Sequence, residues 1–511
     1  MITANRGTAP RVGMIASAVL AGFLPGVSPA LAQAEDASPS PNVVIDVSLL
    51  QSPPSLGAIG EAAFDVAPAP DDPAAPELNG AAILENVAEI VGFSQRDQQS
   101  GSQFWGRISG RPAAAEAARW VGEQFQAAGL ENVEVQEFSA SEDMWFPHRW
   151  RVLVNLNAEN GGADARALGS AVPTYGSFIL GERLEAPLVY VGPAASRADP
   201  DVSGMIAVQS VRPERSAYTA RTLMRESAQA LINDGALAVI NVVEQAGNMH
   251  VYDFGGCGGP CFNIGGADGA WLIEHIAEAA PGEVRASMTL DAENLSGLTA
   301  HNVVGVLPGE SNEVVIVNAH LDGWFDGAGD NADGLATLIA LARHYGSAET
   351  PPARTMVFVA SAGHHSRGLN GASNFVAMNP DLAERAVLVL NLEHVAQYEI
   401  DAVTWEVYPR EQPMSFGISN MAPFLVQTAR EAQAATGFAL IEEYREAVPG
   451  DLRGYEPLGV PRVQAIHSGA LYHTSGDVLE TISVEGLTRA AHFYRRFLDA
   501  VLAADVGELD P

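Results

Sequence analysis

Three apolar runs in the C-terminal half of the chain each lead to a side chain that can bind a metal ion. "EVVIVNA" is followed by His320, "TMVFVAS" leads to the pair His364–His365, and "AVLVLN" ends just before Glu393. Imidazole and carboxylate groups are both zinc ligands. A single histidine after a strand is often only a structural residue, but three such run ends favour one metal site.

The segment "HLDGWFDGAGDNADGLATLIALARHYG", 320–346, adds further carboxylates. Asp322 lies two residues after the first histidine, where its carboxylate is expected to orient the His320 ring. Asp330 and Asn331 are predicted to begin a helix with an apolar stripe. An acidic residue at a helix start is often only an N-cap, so Asp330 alone does not establish a metal ligand.

These side chains require an element that brings them together. Across 313–393, apolar strands alternate with helical patterns, which predicts an α/β fold: a mostly parallel mixed sheet with helices on both faces. In open sheets of this kind, ligands bind beyond the carboxyl ends of the strands. The three run ends should therefore meet at one sheet edge.

The N-terminal part is typical of an exported protein. Residues 1–32 read as a signal peptide, with Arg6 and Arg11 before the apolar "VGMIASAVLAGFL" and "ALA" before Gln33. The alternative is a membrane anchor, but the apolar stretch is shorter than a bilayer span. Residues 33–76 are rich in Pro and Ala and predict a flexible linker. We expect a periplasmic or secreted protein with no membrane span after signal cleavage.

A change in the pattern of apolar residues and glycines indicates a second domain. Residues 165–290 contain short strand-like runs ("APLVYVG", "MIAVQSV", "ALAVINV") and many glycines. We predict a small β-rich domain there, inserted into a catalytic domain formed by 77–164 and 291–511. Its two cysteines, Cys257 and Cys261, are predicted to form a disulfide, because an exported protein meets an oxidising compartment.

Composition excludes one class of partner. The formal net charge is −34, and all 28 basic residues are arginine. Such an acidic chain repels phosphates, so nucleic acid is not an expected partner.

The motifs "HLD" and "GAGDN" resemble the family 28 metallopeptidases, which include bacterial leucyl aminopeptidases, aminopeptidase Y and glutamate carboxypeptidase. "GRISGRPAAAEAARWVGEQFQAAGLENVEVQEF" is similar to the opening segment of that family. Residues 165–290 are similar to its protease-associated insert, "TAHNVVGVLPG" to the return into the catalytic domain, and "LYHTSGD" to the final ligand motif. The resemblance thus covers nearly all of the mature chain.

The resemblance implies a role for each matching residue. His320 and Glu393 would bind a first zinc, Asp330 would bridge two zincs, and His473 would bind the second. At 393 the family usually has aspartate in "N-x-D", whereas this chain has "NLE". Tyr472 is either a donor to the oxyanion, as in some relatives, or a packed aromatic residue.

In the family, a Glu-Glu pair supplies a base and a ligand of the second zinc. This chain lacks that pair. Counting from Phe358, His364 and His365 occupy these positions; counting back from "GLNGAS", His365 and Ser366 do. The strand count is preferred because a loop tolerates an insertion. His365 would then be the ligand. His364 would be the base, with a reference pKa of ~6.5 that a neighbouring dication lowers.

These inferences predict an exported zinc-dependent hydrolase, most simply an aminopeptidase, with one or two zinc ions and a peptide or small amide substrate. Two alternatives stay open: a catalytically silent metal- or peptide-binding relative, and an enzyme acting on a non-peptide amide or ester. Arg453 and Arg462 are candidates for binding a substrate carboxylate or are ordinary surface residues. The sequence does not predict the oligomeric state.

Overall fold

The structure is a computed structural model. It describes residues 69–70, 72–155, 165–198, 200–213, 221–253, 255–445 and 448–510. The predicted signal peptide and most of the predicted linker lie outside these residues.

Helices and strands alternate along the described chain. The nine α-helices of the described residues are α1 Gly80–Gln99, α2 Pro112–Ala127, α3 Arg221–Asn233, α4 Gly266–Glu278, α5 Asp333–Gly346, α6 Gly371–Met378, α7 Pro380–Glu384, α8 Pro423–Thr436 and α9 Val484–Ala503. The strands of the described residues are β1 Gly106–Arg107, β2 Glu131–Ser139, β3 Met144–Asn155, β4 Arg166–Ala167, β5 Val172–Pro173, β6 Leu184–Pro193, β7 Ile206–Val211, β8 Ala238–Val243, β9 Cys261–Ile264, β10 Arg285–Leu295, β11 Thr299–Leu307, β12 Ser311–His320, β13 Gly323–Trp324, β14 Arg354–Ser361, β15 Ala386–Leu392, β16 Tyr398–Ile400, β17 Val407–Glu411, β18 Met414–Ile418, β19 Leu440–Arg445 and β20 Arg462–Ile466.

The three predicted apolar runs are neighbours in one mixed sheet of eight strands. Its order is β19-β18-β20-β15-β12-β14-β11-β2. At its centre β12 pairs in parallel with both β14 and β15, and β15 pairs in parallel with β20. The outer strands β11 and β2 are antiparallel. The predicted α/β fold is therefore confirmed, and the carboxyl ends of the central strands share one edge.

Alternation along the central strands fills a core on each face of this sheet. Val315 and Val317 of β12 pack with helices α1, α2, α5 and α9, whereas Val314 and Ile316 pack in a second cluster beside α6. Strand side chains point alternately to the two faces, so both faces must be apolar and covered. The same alternation sends His320 to the face of Val314 and Ile316.

A second sheet of eight strands lies in the predicted insert. Its order is β4-β3-β10-β6-β7-β8-β9-β5. Along the chain, β3 is its first strand and β10 its last. These two strands pair antiparallel along their whole length. This sheet therefore extends beyond the predicted limits 165–290 at both ends, and the domain assignment itself stays a prediction. Cys257 and Cys261 are joined by a disulfide beside β9.

One predicted element starts later than expected. Asp330 and Asn331 do not begin the helix, because they lie in a tight turn, Ala328–Ala332, with non-helical dihedral angles, and α5 begins at Asp333. None of the helices in the described ranges combines the length and hydropathy required to cross a bilayer.

A buried arginine holds the turn that carries Asp330. Arg107 on β1 is fully buried and donates hydrogen bonds to the carbonyls of Leu321, Asp326 and Gly327 and to the hydroxyl of Ser94. Burial lowers the pKa of Arg107 to about 10. Its guanidinium thus fixes the backbone between β12 and the turn.

Replacing Arg107 by methionine should lower the free energy of unfolding by about 3 kcal/mol or more, because three buried carbonyls lose their donor. Urea denaturation measures this change. The control Arg119→Met removes an exposed guanidinium from α2 and should change the free energy of unfolding by less than about 0.5 kcal/mol. Equal stabilities of the two variants would contradict the assigned role of Arg107.

Candidate metal centre

The ends of the central strands bring the predicted ligands together. His320 is the last residue of β12, Glu393 follows β15 directly, and His364 lies three residues beyond β14. Two asparagines on β12 and β15 form a chain of hydrogen bonds that leads to Glu393. Asn318 donates to Asn391 Oδ1 at 2.7 Å, and Asn391 donates to Glu393 Oε2 at 2.9 Å. Oε1 of Glu393 is left to face the imidazoles.

The carboxylate of Asp330 lies at the centre of two groups of side chains. Its Oδ1 is 3.3 Å from Nε2 of His320 and 3.3 Å from Nε2 of His394. Its Oδ2 is 3.0 Å from Nε2 of His365 and 3.5 Å from Nε2 of His473. Each oxygen of one carboxylate therefore faces a separate pair of imidazole nitrogens.

These spacings suit metal coordination. Two atoms that each lie about 2.0–2.1 Å from one tetrahedral zinc are about 3.3–3.4 Å apart. His320, Glu393 and His394 form one candidate group, with one ligand atom from each residue within 4.8 Å of the others. Asp330, His365 and His473 form another with the same limit. The donor set of imidazoles and carboxylates fits two zinc ions bridged by Asp330.

Electrostatics favour the charge states that ligands need. Burial raises the pKa of Asp330, but the imidazoles of His365, His320 and His394 outweigh it and hold the pKa well below its usual range. Burial lowers the pKa of His473 well below its ordinary value and also lowers that of His365. Burial thus favours the neutral form of these two imidazoles, which is the form that binds metal, and the surrounding imidazoles favour the anion of Asp330.

The backbone around Asp330 is fixed by two polar side chains. Asp477 accepts hydrogen bonds from the amides of Gly329, at 2.7 Å, and Asp330, at 3.0 Å. Asn331 donates from its side chain to the carbonyl of Leu392 and accepts from the amide of His394. The motif "GAGDN" therefore places one ligand and ties its turn to the end of β15.

Asp322 acts differently from the expectation. The ring of His320 is oriented by the backbone carbonyl of Asp322, 2.9 Å from Nδ1, whereas the carboxylate lies 3.8 Å away. That carboxylate instead accepts hydrogen bonds from the backbone amides of His364, at 3.2 Å, and His365, at 2.9 Å. Asp322 therefore positions the loop that carries the histidine pair.

His364 stacks on the ring of His320, with ring centroids 4.1 Å apart, and forms a pair with a second carboxylate. Its Nδ1 lies 3.0 Å from Asp451 Oδ1, and its Nε2 lies 3.6 Å from Glu393 Oε1. Ser361 donates to the other oxygen of Asp451 at 3.0 Å. Burial opposes protonation of His364, but Asp451 and Glu393 outweigh it and raise the pKa well above the ordinary histidine value.

The two histidines of the loop thus take different positions. His365 joins Asp330 and His473 in one candidate group of metal ligands, the place expected of the second residue of the pair. Ser366 and His365 both line the adjoining aromatic cavity. This placement favours the register in which His364 and His365 occupy the positions of the glutamate pair.

Tyr472 lies beside the centre. Its half-buried ring stacks on His473, with ring centroids 3.6 Å apart, and lines a small cavity shared with Asp330 and His394. Both proposed roles, oxyanion donor and packed aromatic, agree with this position. Arg462 donates to the carbonyl of Leu452, and Arg453 is exposed. The bond of Arg462 supports its structural interpretation.

Sequence reasoning missed His394, Asp451 and Asp477. His394 is adjacent to Glu393, and Asp477 ends the quoted motif "LYHTSGD", so a sequence motif could have pointed to both residues. No motif pointed to Asp451, because it lies in a distant segment between β19 and β20.

Comparisons with known proteins agree with this fold. Residues 302–498 match the model described as peptidase family M28. This segment runs from β11 to α9 and contains all the residues predicted to bind metal. Over this segment the chain is similar to peptidase family M28, and the resemblance of "HLD" and "GAGDN" to that family is confirmed. No curated protein matches the chain significantly.

Solved structures show that the fold is shared beyond this segment. The peptidase M28 precursor of Shewanella amazonensis is 19% identical, with 84% of this chain and 97% of that chain covered and a TM-score of 0.60. A zinc aminopeptidase from Bacillus subtilis is 20% identical, with 85% and 98% covered and a TM-score of 0.57. An aminopeptidase from Aneurinibacillus sp. strain AM-1 is 20% identical, with 83% and 94% covered and a TM-score of 0.52.

Proposed function

We propose that the protein is an exported, zinc-dependent exopeptidase, an aminopeptidase, which uses His364 in place of the usual glutamate base. The observation that carries this proposal is the position of Asp330, whose two carboxylate oxygens each face a pair of imidazole nitrogens. A carboxylate between two ligand groups is the arrangement expected of a two-metal hydrolase. The match of residues 302–498 to the model of peptidase family M28 supports the reaction class.

Each residue of the site has a separate proposed role in metal binding or catalysis. His320, Glu393 and Asp330 would hold one zinc, and Asp330, His365 and His473 the other. When bound, zinc polarises the scissile carbonyl and brings the pKa of the attacking water near ~7. Tyr472 lines the cavity beside Asp330 and is placed to donate to the carbonyl oxygen as it gains charge.

His364 would take the proton of the water and pass it to the leaving amine. Its Nδ1 is held by Asp451, so its Nε2 is directed toward Glu393. The carboxylates raise the pKa of His364, whereas a nearby dication lowers it. With the zinc ions in place the two effects oppose each other, which favours a histidine able to exchange a proton near neutral pH.

Export is supported by the N-terminal sequence and by the description of the Shewanella neighbour as a precursor. N-terminal sequencing of the protein recovered from its native host should find Gln33 as the first residue. Recovery of chains that begin at Met1 would contradict export through this signal.

The decisive test is hydrolysis of aminoacyl substrates by the purified protein. We expect turnover of aminoacyl p-nitroanilides that falls by more than about 100-fold after removal of metal with a chelator and returns on addition of Zn²⁺. Zinc content, measured by elemental analysis, should approach two per chain. Peptides with a blocked amino terminus should not be cleaved.

Other results would identify the alternatives. Bound zinc without hydrolysis of any aminoacyl, amide or ester substrate indicates a silent metal-binding relative. Hydrolysis of non-peptide amides or esters alone indicates an altered enzyme. Either result overturns the aminopeptidase proposal while leaving the metal site intact.

A further inference from the structure

We propose that His394 is a ligand of the first metal, in addition to His320, Asp330 and Glu393; this inference rests on the proposed function only for the presence of metal. His394 is buried, and its Nε2 lies 3.3 Å from Asp330 Oδ1 and 3.9 Å from Glu393 Oε1. The assigned ligand His320 has the same 3.3 Å separation from the same oxygen of Asp330. Both imidazoles therefore face the same oxygen, and one ligand atom from each lies within 4.8 Å of the other and of Glu393.

The other nitrogen of each ring supports the same assignment. Nδ1 of His320 lies 2.9 Å from the carbonyl of Asp322, and Nδ1 of His394 lies 2.5 Å from the carbonyl of His467. A carbonyl only accepts hydrogen bonds, so Nδ1 carries the proton in both rings. In metal sites, a ligating histidine commonly donates its second nitrogen to a backbone carbonyl or carboxylate in this way.

Fixing the proton on Nδ1 decides what Nε2 can do. In the neutral ring Nε2 has no proton, so it cannot donate to Asp330, and two lone pairs would face each other 3.3 Å apart. A cation between them removes this repulsion. Nε2 of His320 lies at the same distance from the same oxygen, so one metal ion there would bind both rings at once.

A simpler role for His394 is that of a positively charged hydrogen-bond partner of Asp330. That role needs a second proton on the ring, and the carboxylates of Asp330 and Glu393 do favour it when no metal is present. A dication bound by His320 at the same oxygen of Asp330 would repel this proton. The two roles therefore exclude each other once metal is bound, and they predict different coordination.

The inference changes the character of the two sites. The first would have two imidazoles and two carboxylates as protein ligands, the number found in closed tetrahedral zinc sites. The second has Asp330, His365 and His473, the three-ligand number that leaves a position for water or substrate. Accordingly, an added anion should perturb the second site more than the first.

The test compares metal binding by the full-length mature protein and the variant His394→Gln, which keeps a polar side chain of similar reach. We expect one of the two zinc ions to be held at least about 100-fold more weakly in a chelator competition, since even outer partners of ligands contribute about 10–100-fold. X-ray absorption of the zinc-loaded proteins should show fewer imidazoles per metal in the variant. The control His148→Gln alters a surface histidine paired with Glu293 and should change neither.

A second variant separates ligation from folding. His394→Glu offers a carboxylate of the same reach as the Gln variant and should restore metal binding while the imidazole count stays low. Unchanged affinity and an unchanged imidazole count in His394→Gln would overturn the inference, even if the protein is an active peptidase. Conversely, weaker first-site binding in a protein without peptidase activity would uphold the inference and count against the proposed function.

Discussion

Replacing Asp330 by asparagine should remove most of the bound metal and lower kcat/KM by more than about 1,000-fold. The substitution keeps the size of the side chain but removes the negative charge that faces four imidazole nitrogens, of His320, His394, His365 and His473. An amide offers one acceptor oxygen and its nitrogen is a donor, so it cannot bridge two cations. The loss should therefore affect both metal sites together.

Elemental analysis after dialysis and chelator competition measure this effect, and circular dichroism checks that the fold is kept. The backbone contacts of residue 330 to Asp477 do not depend on its side chain, so the turn should remain in place. Asp381→Asn, the same change at an exposed position in α7, is the matched control and should retain full metal content. Loss of only one metal in Asp330→Asn would contradict the bridging role.

The fold and most of the site follow from local patterns in the sequence. Apolar runs predict the central strands, and strand alternation places His320 and Glu393 on one face because each follows an asparagine of its strand by two residues. A parallel sheet then brings both to one edge. These features depend only on residues near one another in the chain.

The parts that sequence reasoning missed depend on irregular backbone and distant segments. Simple alternation would direct His394 away from Glu393, but His394 has a φ of 55°, in the left-handed region, and its amide binds Asn331. The turn thus brings adjacent residues toward one centre. Asp451 reaches His364 from a short turn of 3-10 helix, Gly450–Arg453, far along the chain, which no local pattern predicts.

The histidine pair decides whether the chemistry is intact, and its two members should respond differently to mutation. His364→Ala should lower kcat by about 100- to 10,000-fold, the usual contribution of a general base, with the zinc content unchanged. His365→Ala should instead lose the second metal, because its Nε2 faces Asp330 at 3.0 Å. Ser366→Ala should have little effect on either measurement. The three variants together test the assignment of base and ligand.

Asp451 provides a finer test of the same base. Asp451→Asn keeps the shape beside His364 but removes the carboxylate that accepts its Nδ1 proton, so kcat should fall while KM and the metal content hold. Added imidazole should partly restore turnover in His364→Ala and leave Asp451→Asn unaffected, a difference that a purely structural role of His364 would not produce. If His364→Ala retains the parent kcat, the proton must move through another group, and the assignment of His364 as the base is wrong.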